Sequence, residues 1–296
     1  MHTPAVEVTE GTVTVEATVI SQTLPDAVEL YVMGQGRWGE TVPMKRDRNY
    51  HYKAELPTKA GFLKYYIVVR NGLENQTFPS DITGVPRDWD FYDRNPYEVR
   101  VTPAASPLYL FDASTDADEV SRQWIRASGV VPTSVPGKSE LTINVEKLFI
   151  PDAENPNGAA VADYSLRYHF GKKISGRSRD LSTKRSIVLD ARSLNGKSCP
   201  IQLSLIMNDG TVYGAMIALD PGQKEHTLLL ADLKPVKLVT LPRPYPTFLP
   251  YYFDREGEAG FDVNRIESLQ LSIGPGLSKE SQAQQNGIVI RTVRLE

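Results

Sequence analysis

Five aromatic residues and four prolines lie within the fourteen-residue segment LPRPYPTFLPYYFD, from Leu241 to Asp254. Prolines at this spacing remove backbone donors and clash with a preceding helical turn, so a helix and a central strand are both excluded. We predict a stiff, extended loop. Aromatic rings stack on the apolar face of a pyranose, and tyrosine hydroxyls hydrogen-bond its substituents. The alternative is that these rings close a hydrophobic core, where large apolar groups are more often found. The candidate ligand contacts are Tyr245, Phe248, Tyr251 and Tyr252.

Two further sets of side chains could contact a ligand. Arg177 and Arg179 lie in a basic, Ser- and Gly-rich segment, and guanidinium groups recognise carboxylate or sulfate by paired hydrogen bonds. A solvated loop with ordinary surface charge is the alternative. Trp38 lies in the glycine-rich sequence GQGRWGE between two predicted strands, where it could stack on a sugar. Trp89 and Tyr92 form an aromatic and acidic cluster in RDWDFYDRNPY. Packing is the favoured interpretation for these three aromatics.

Acidic residues cluster between positions 112 and 119. Asp112, Asp116 and Asp118 supply hard oxygen ligands close together in sequence, which is the donor type that calcium prefers. The segment lacks the glycine and the distal glutamate of an EF-hand loop. The same acids could instead stabilise the N-terminus of a helix, which the spacing of Val120, Trp124 and Ala127 predicts over Asp116–Ala127.

Catalytic arrangements are weakly supported. Glycoside hydrolysis needs two carboxyl groups across a cleft, and Glu256, Glu258 and Asp262 follow the aromatic segment without any feature that separates them from turn acids. Arg167, Tyr168 and His169 could serve a β-sandwich lyase, but strand alternation sends Tyr168 to the opposite face. The single cysteine, Cys199, excludes an internal disulfide. The sequence contains no nucleophile elbow, zinc-protease or phosphate-loop signature.

Composition excludes several functional classes. The 296 residues are 41% hydrophobic and 23% charged, which is typical of a globular protein. A net charge of −3 gives no reason to expect nucleic acid, and the sequence has no apolar run long enough to insert into a membrane. The first residues do not resemble a signal peptide. A cytoplasmic protein and a piece of a longer secreted protein both stay open; the second is favoured, with a secreted, periplasmic or cell-surface location.

Short alternating segments separated by Pro, Gly, Asn and Asp predict an all-β chain. Residues 1–104 have the strand number and spacing of an immunoglobulin-like sandwich. The Pro-bounded sequence TPAASP at 102–107 predicts a semi-rigid boundary. Residues 105–296 contain nine or more predicted strands, which suits a larger jelly-roll sandwich. We predict mobile segments at 152–158 and 171–184, no helix other than the one over Asp116–Ala127, and an exposed turn at 278–286.

Three stretches of the second domain resemble the galactose-binding-like jelly rolls that accompany bacterial glycoside hydrolases, including those of gut type. They are LYLFD with the acids and tryptophan after it, PIQLSLIMNDGTVYGAMIALDPGQKEHTLLLADL, and FDVNRIESLQLSIGPG followed by GIVIRTVRL. In the first domain, LYVMGQGRWGETVPM, YHYKAELP and FLKYYIVVRNG are similar to E-set or immunoglobulin-like domains of sugar-active proteins. The resemblance implies a carbohydrate-binding accessory region, with no required cofactor and with a structural calcium ion as one option.

Three functional hypotheses follow. The first is a non-catalytic module pair that binds a polysaccharide or oligosaccharide by aromatic stacking, next to a catalytic domain in the same parent chain. The second is a pair of sandwiches that only brace that catalytic domain. The third is a lyase or hydrolase built on a β-sandwich.

Overall fold

A computed structural model describes residues 1–36, 39–122, 128–133, 139–148, 163–242, 252–253 and 260–296. Strands dominate these residues, and the helices among them are single turns, so the predicted all-β fold is confirmed. The contacts divide the chain into two compact units. One contains Met1–Ser106 together with Lys172–Asp180, and the other contains Pro107–Gly171 together with Leu181–Glu296. No helix among the described residues is long and apolar enough to cross a bilayer.

The described residues of the first unit form ten strands. They are β1 (Glu7–Thr9), β2 (Gly11–Thr18), β3 (Ala27–Met33), β4 (Glu40–Pro43), β5 (Lys45–Arg48), β6 (His51–Thr58), β7 (Gly61–Asn71), β8 (Glu74–Phe78), β9 (Ile82–Thr83) and β10 (Tyr97–Thr102). One sheet has the order β1-β10-β7-β3-β4, with β8 on β7 and β9 on β8, and the other has the order β2-β6-β5. Every second residue of β2 and β3 enters a shared hydrophobic core, for example Val13, Val15, Leu30 and Val32.

Strand β7 is buried on both faces. Leu63, Tyr65 and Ile67 point into the core, while Tyr66 and Val68 lie on the opposite face and are also buried. The connection between β9 and β10 covers that outer face. This connection is therefore packed against the sheet.

The described residues of the second unit form fourteen strands. They are β11 (Leu108–Asp112), β12 (Ser121–Arg122), β13 (Ser128–Thr133), β14 (Glu140–Val145), β15 (Tyr164–His169), β16 (Ser186–Ser193), β17 (Cys199–Met207), β18 (Val212–Leu219), β19 (Lys224–Leu229), β20 (Lys234–Pro235), β21 (Leu238–Val239), β22 (Tyr252–Phe253), β23 (Ile266–Ile273) and β24 (Asn286–Leu295). One sheet has the order β13-β14-β24-β16-β19 with β11 on β24, and the other has the order β12-β15-β23-β17-β18-β20. A separate two-stranded ribbon joins β21 and β22.

The two large sheets of this unit pack face to face. Leu141 and Ile290 from the first sheet meet Leu166, Leu269 and Leu271 from the second around a small internal space. All five side chains are buried. The sandwich therefore leaves the other face of each sheet available for covering segments or for ligands.

The helical predictions need two corrections. The helix predicted over Asp116–Ala127 is wrong for its described part, which is a 3₁₀ turn at Ala117–Glu119 followed by the extended strand β12. The reason is local: Asp and Ser side chains bond to nearby backbone and compete with helix formation. Residues 123–127 lie outside the described residues. The segment 171–184, where no helix was predicted, contains α1 (Gly171–Ile174), a 3₁₀ turn (Ser175–Arg177) and α2 (Ser178–Leu181).

The exposed turn predicted at 278–286 contains helix α3 (Lys279–Gln282), a single turn capped by the Ser278 side chain and without buried residues. Two further 3₁₀ turns lie at Leu230–Asp232 and Val263–Arg265. Within the segment 171–184, Gly176 approaches β1 so closely that a Cβ atom would lie 2.2 Å from the Glu7 carbonyl oxygen. Only glycine fits that contact without displacing backbone.

Candidate functional site

Polar side chains form a continuous patch on the outward face of the second sheet of the second unit. Their register aligns them in rows across three neighbouring strands. This patch, called the polar face below, consists of Ser165, Arg167 and His169 in β15, Ser268, Gln270 and Ser272 in β23, and Gln202 and Ser204 in β17. All of them except His169 are buried. The apolar residues between them enter the core, because side chains along a strand alternate between its two faces.

Hydrogen bonds fix the orientation of these side chains. The Ser165 and Ser272 hydroxyls lie 2.7 Å apart, and Ser165 donates to the Asp163 carboxylate at 2.6 Å. At the far end of the face, the Ser268 hydroxyl lies 2.6 Å from Nδ1 of His169. The face is therefore arranged before any ligand arrives.

Arg167 lies at the centre of the polar face and is only 8% exposed. Its Nε and Nη2 donate to Oε1 of Gln270 at 2.9 and 2.6 Å. Nη2 and Nη1 also donate to the carbonyls of Val239 and Leu241, at 3.0 and 3.3 Å. Burial lowers the pKa of the guanidinium to about 10, which still leaves it charged at neutral pH. The ring of Phe253 lies 5.8 Å from the guanidinium carbon, within cation–π range.

Residues 236–242, called the strap below, cross the polar face. The amide of Gln202 donates to the Lys237 carbonyl at 3.1 Å, and Leu238 packs with Ile206 and Val212. Pairing of β21 with β22 then joins Leu238 and Val239 to the end of the proline-aromatic segment. The described ends of that segment are therefore held at the polar face by main-chain contacts.

A cleft of about 490 Å³ lies beside the strap. Its lining combines polar-face and strap residues with the loop that follows β23: Asp163, Gln202, Lys237, Val239, Ser272, Gly274, Pro275, Gly276, Leu277 and Gln282. The volume falls within the range of about 300–1,000 Å³ that small-ligand sites have. Amide, hydroxyl, carboxylate and ammonium groups alternate here with apolar groups of Val239, Pro275 and Leu277. This mixture suits a neutral ligand that carries many hydroxyl groups.

The predicted aromatic contacts fall largely beyond the described part of the chain. Tyr245, Phe248, Tyr251 and Trp38 lie outside the described residues, and of Tyr252 only the backbone is described, in β22. Their roles stay predictions.

The two arginines predicted to contact a ligand, Arg177 and Arg179, lie in different environments. Arg177 is 2% exposed, and its guanidinium donates to Glu7 at 2.8 Å, to Asp180 at 2.9 Å and to the Ser106 carbonyl at 2.8 Å. Those partners all belong to the first unit. Such an interior ion-pair cluster gives Arg177 a structural role in place of the predicted surface contact. Arg179 lies exposed on α2.

Two of the three acids proposed for calcium, Asp112 and Asp116, have hydrogen-bond partners in the protein. Asp116 is buried, and its carboxylate accepts from the Asp112 backbone N–H at 2.8 Å and from the Thr115 hydroxyl at 2.9 Å. The Asp112 carboxylate accepts twice from Ser114, and Asp118 lies in the 3₁₀ turn. Within the described ranges, no three His, Cys, Asp or Glu side chains are placed to hold a metal ion. The hydrogen bonds of Asp112 and Asp116 order the turn after β11, and the structural calcium ion stays a prediction.

The residues considered for catalysis do not converge either. Strand alternation behaves as predicted: Arg167 and His169 share the polar face, whereas Tyr168 packs edge-on against Phe111. Burial raises the pKa of the Tyr168 hydroxyl, with a further contribution from the Asp116 carboxylate. Among the described lining residues of the cleft, Asp163 alone carries a carboxylate.

Of the acids named after the aromatic segment, Asp262 lies among the described residues, and it is not one of the residues that line the cleft. Asp262 caps a 3₁₀ turn by accepting from the Asn264 N–H at 2.9 Å. Glu256 and Glu258 lie outside the described residues.

Sequence reasoning missed the polar face. Its signal is present in β23, where Ser268, Gln270 and Ser272 alternate with Leu269 and Leu271. Such alternation ordinarily marks a solvated face, so the strand gave no separate indication of a buried polar network.

No known protein family and no curated protein matches the sequence. Solved structures do match. A family 11 carbohydrate-binding module from Clostridium thermocellum, in complex with a β-1,3-1,4-mixed-linked tetrasaccharide, is similar over 65% of this chain and 96% of its own, at 12% identity and a TM-score of 0.41. An agarase matches over 64% of this chain and 26% of its own, at 16% identity and a TM-score of 0.36. Bacteroides uniformis β-glucuronidase matches over 98% of this chain and 28% of its own, at 9% identity and a TM-score of 0.25. The chain thus spans about a quarter of each enzyme, and at these identities the similarity is one of fold.

Proposed function

We propose that the second unit binds carbohydrate in the cleft beside the strap. The observation that carries this proposal is the preformed polar face: two of its residues, Gln202 and Ser272, line a cleft of about 490 Å³ together with apolar side chains. Sugars present hydroxyl groups at their edges and C–H groups on their faces. A wall that offers Gln202 and Ser272 next to Val239 and Leu277 matches both kinds of surface.

The strap supports this proposal in a second way. Hydrogen bonds from Arg167 to two strap carbonyls hold the cleft wall in place, which lowers the entropic cost of ordering it around a ligand. The same contacts anchor the end of the proline-aromatic segment, whose tyrosines are the proposed stacking platform. Binding would combine a few hydrogen bonds with ring stacking.

At the level of the whole protein, we propose a non-catalytic accessory region of a secreted polysaccharide-degrading enzyme. It would hold substrate near a catalytic domain and raise the local substrate concentration.

Affinity gel electrophoresis against a panel of soluble polysaccharides, followed by calorimetry, tests the proposal. Gln202→Ala removes a lining amide, and we expect it to weaken binding by about tenfold. Gln223→Ala is the matched control, because that amide bonds to Asp190 on the other sheet of the same unit. Tyr251→Ala combined with Tyr252→Ala tests the stacking platform separately.

Failure of the folded parent protein to bind any polysaccharide would reject carbohydrate binding and favour the bracing role. Equal weakening by the Gln202 and Gln223 variants would reject the cleft as the site. Loss of binding in the tyrosine variants alone would move the site to the proline-aromatic segment.

A further inference from the structure

A second aromatic surface lies in the first unit, in the connection between β9 and β10. Residues 84–96 cover the outer face of β7, and Phe91 anchors them there. Its ring meets Tyr66 edge-on, with centroids 5.6 Å apart at 85°. The Tyr66 hydroxyl also donates to the Asp93 carbonyl at 3.0 Å, and Tyr66 itself is buried. The middle of this connection is thus fixed to the most buried strand of the sheet.

Turn hydrogen bonds fix the backbone on both sides of the anchor. The Asp88 carboxylate accepts from the Val85 N–H at 3.1 Å, and the Asp88 N–H donates to the Val85 carbonyl at 2.9 Å. The Phe91 N–H donates to the Asp88 carbonyl at 3.1 Å, and the Asn95 N–H donates to the Asp93 carboxylate at 3.1 Å. These hydrogen bonds order the backbone of the segment.

The neighbours of Phe91 point away from the protein. Trp89 is 92% exposed and Tyr92 is 82% exposed. Packing was the favoured interpretation of both from the sequence, and the structure assigns it to Phe91 alone. Two large rings held in solvent by an ordered turn are unusual, because aromatic side chains otherwise gain most by burial.

We propose that Trp89 and Tyr92 form a second binding site, which takes a segment of a neutral polysaccharide. Two aromatic side chains bury about 150–250 Å² each when covered, so together they supply about 300–500 Å², less than two thirds of the 800 Å² that each partner of a stable protein interface contributes. A pyranose face matches a single ring. The area therefore favours sugar over a protein partner.

Charge selects the kind of sugar. Arg87 and Arg94 are offset by Asp88, Asp90 and Asp93, so the segment carries no positive excess that would attract uronate or sulfate groups. The exposed carboxylate of Asp90 and the two guanidinium groups can hydrogen-bond sugar hydroxyls beside the rings.

The test compares Trp89→Ala combined with Tyr92→Ala against Phe62→Ala, which removes an aromatic ring of the same unit that is 54% exposed on β7. Each variant is run through gels that contain neutral β-glucan, xylan, galactomannan or agarose, and through gels that contain anionic alginate. The same series is repeated on the Gln202→Ala background, so that the cleft and this site are read separately. We expect the double variant to lose about tenfold in affinity for at least one neutral polysaccharide on both backgrounds, while Phe62→Ala binds as the parent does.

Tryptophan fluorescence gives a second readout, which does not depend on migration of the protein through a gel. Saturating neutral polysaccharide should shift the indole emission of the parent, and Trp89→Phe should abolish that shift while it keeps a stacking ring. Unchanged mobility of the double variant in every neutral gel would overturn the proposal. So would weakened binding to alginate alone, or an equal loss in Phe62→Ala. If instead the double variant retained all polysaccharide binding but no longer associated with a partner protein that the parent retains, the surface would be a protein-docking site.

Discussion

Replacement of Arg167 by methionine is the sharpest test of how the cleft is held. Methionine keeps an unbranched apolar stem of similar length but has no donors. It leaves three oxygens without their arginine partner: Oε1 of Gln270 and the carbonyls of Val239 and Leu241. The arginine partners among the described residues are all neutral, so no carboxylate is left behind as an unpaired charge.

Two opposing terms set the expected size of the effect. At about 2 kcal/mol for each buried acceptor, the lost hydrogen bonds destabilise this region by about 6 kcal/mol. Methionine also removes a cation whose burial lowers its pKa from 12.5 to about 10, which corresponds to a desolvation cost of about 3 kcal/mol that disappears. The loss of hydrogen bonds is the larger of the two terms, and we expect a net destabilisation of about 3 kcal/mol.

Hydrogen exchange read by mass spectrometry suits this measurement, since a chain of two compact units need not unfold in one transition. A change of about 3 kcal/mol corresponds to exchange roughly 100-fold faster in peptides from β15, β23 and the strap. Arg192→Met is the control: Arg192 is partly exposed on the opposite sheet, pairs with Glu140 at 3.2 Å, and should cost about 1 kcal/mol or less. Equal protection in the two variants would refute the reasoning, because Arg167 would then contribute no more than a surface ion pair.

Three further outcomes follow from single groups. Gly176→Ala should destabilise the first unit by about 1–3 kcal/mol in denaturant unfolding, because the new Cβ meets a backbone oxygen at 2.2 Å, whereas Gly222→Ala, with open space around it, should change little. Hydrogen bonds from Thr211 lower the pKa of Asp209 from 3.8 to about 2, so its carboxylate stabilises the fold above about pH 4 and this contribution is lost as the pH falls towards 2. Asp209→Asn should therefore lower the melting temperature at pH 7 and approach the parent in that acidic window; a constant difference across it would contradict the assignment. Burial raises the pKa of the Cys199 thiol, so a chromogenic disulfide reagent should label it slowly in the native protein and fast in guanidinium, and rapid native labelling would contradict its burial.

The strands were predictable because their signal is local. In β3 the residues Val28, Leu30 and Val32 alternate with more exposed ones, and in β18 the strand begins directly after the turn Asn208–Thr211. The pattern predicts strands over Ala27–Met33 and Val212–Leu219, and these are the observed bounds of β3 and β18. Alternation needs only neighbouring residues and a buried face, so one sequence is enough to reveal it.

Features that depend on contacts distant in sequence were not predictable. Arg177 is separated from Glu7 by 170 positions, and the ion pair between them makes the segment 172–180 part of the first unit. In isolation the segment is basic and rich in Ser and Gly, which is the composition of an exposed loop. The segment is ordered by contacts with residues distant in sequence, and local composition does not indicate those contacts.

The polar face was not predictable for a different reason: whether its side chains are solvated or buried depends on the segment that covers them. The alternation of Ser268, Gln270 and Ser272 predicts a solvated face, and a solvated face is what the sheet would have without the strap. Backbone carbonyls of the strap accept hydrogen bonds from Arg167 and Gln202, so the polar groups are buried and satisfied at the same time. Because those acceptors are neutral, the arrangement does not depend on an ion pair that salt would screen. We therefore expect the cleft wall to keep its shape as ionic strength changes. Carbohydrate binding there should also be insensitive to salt, because hydrogen bonds to neutral hydroxyl groups are not screened.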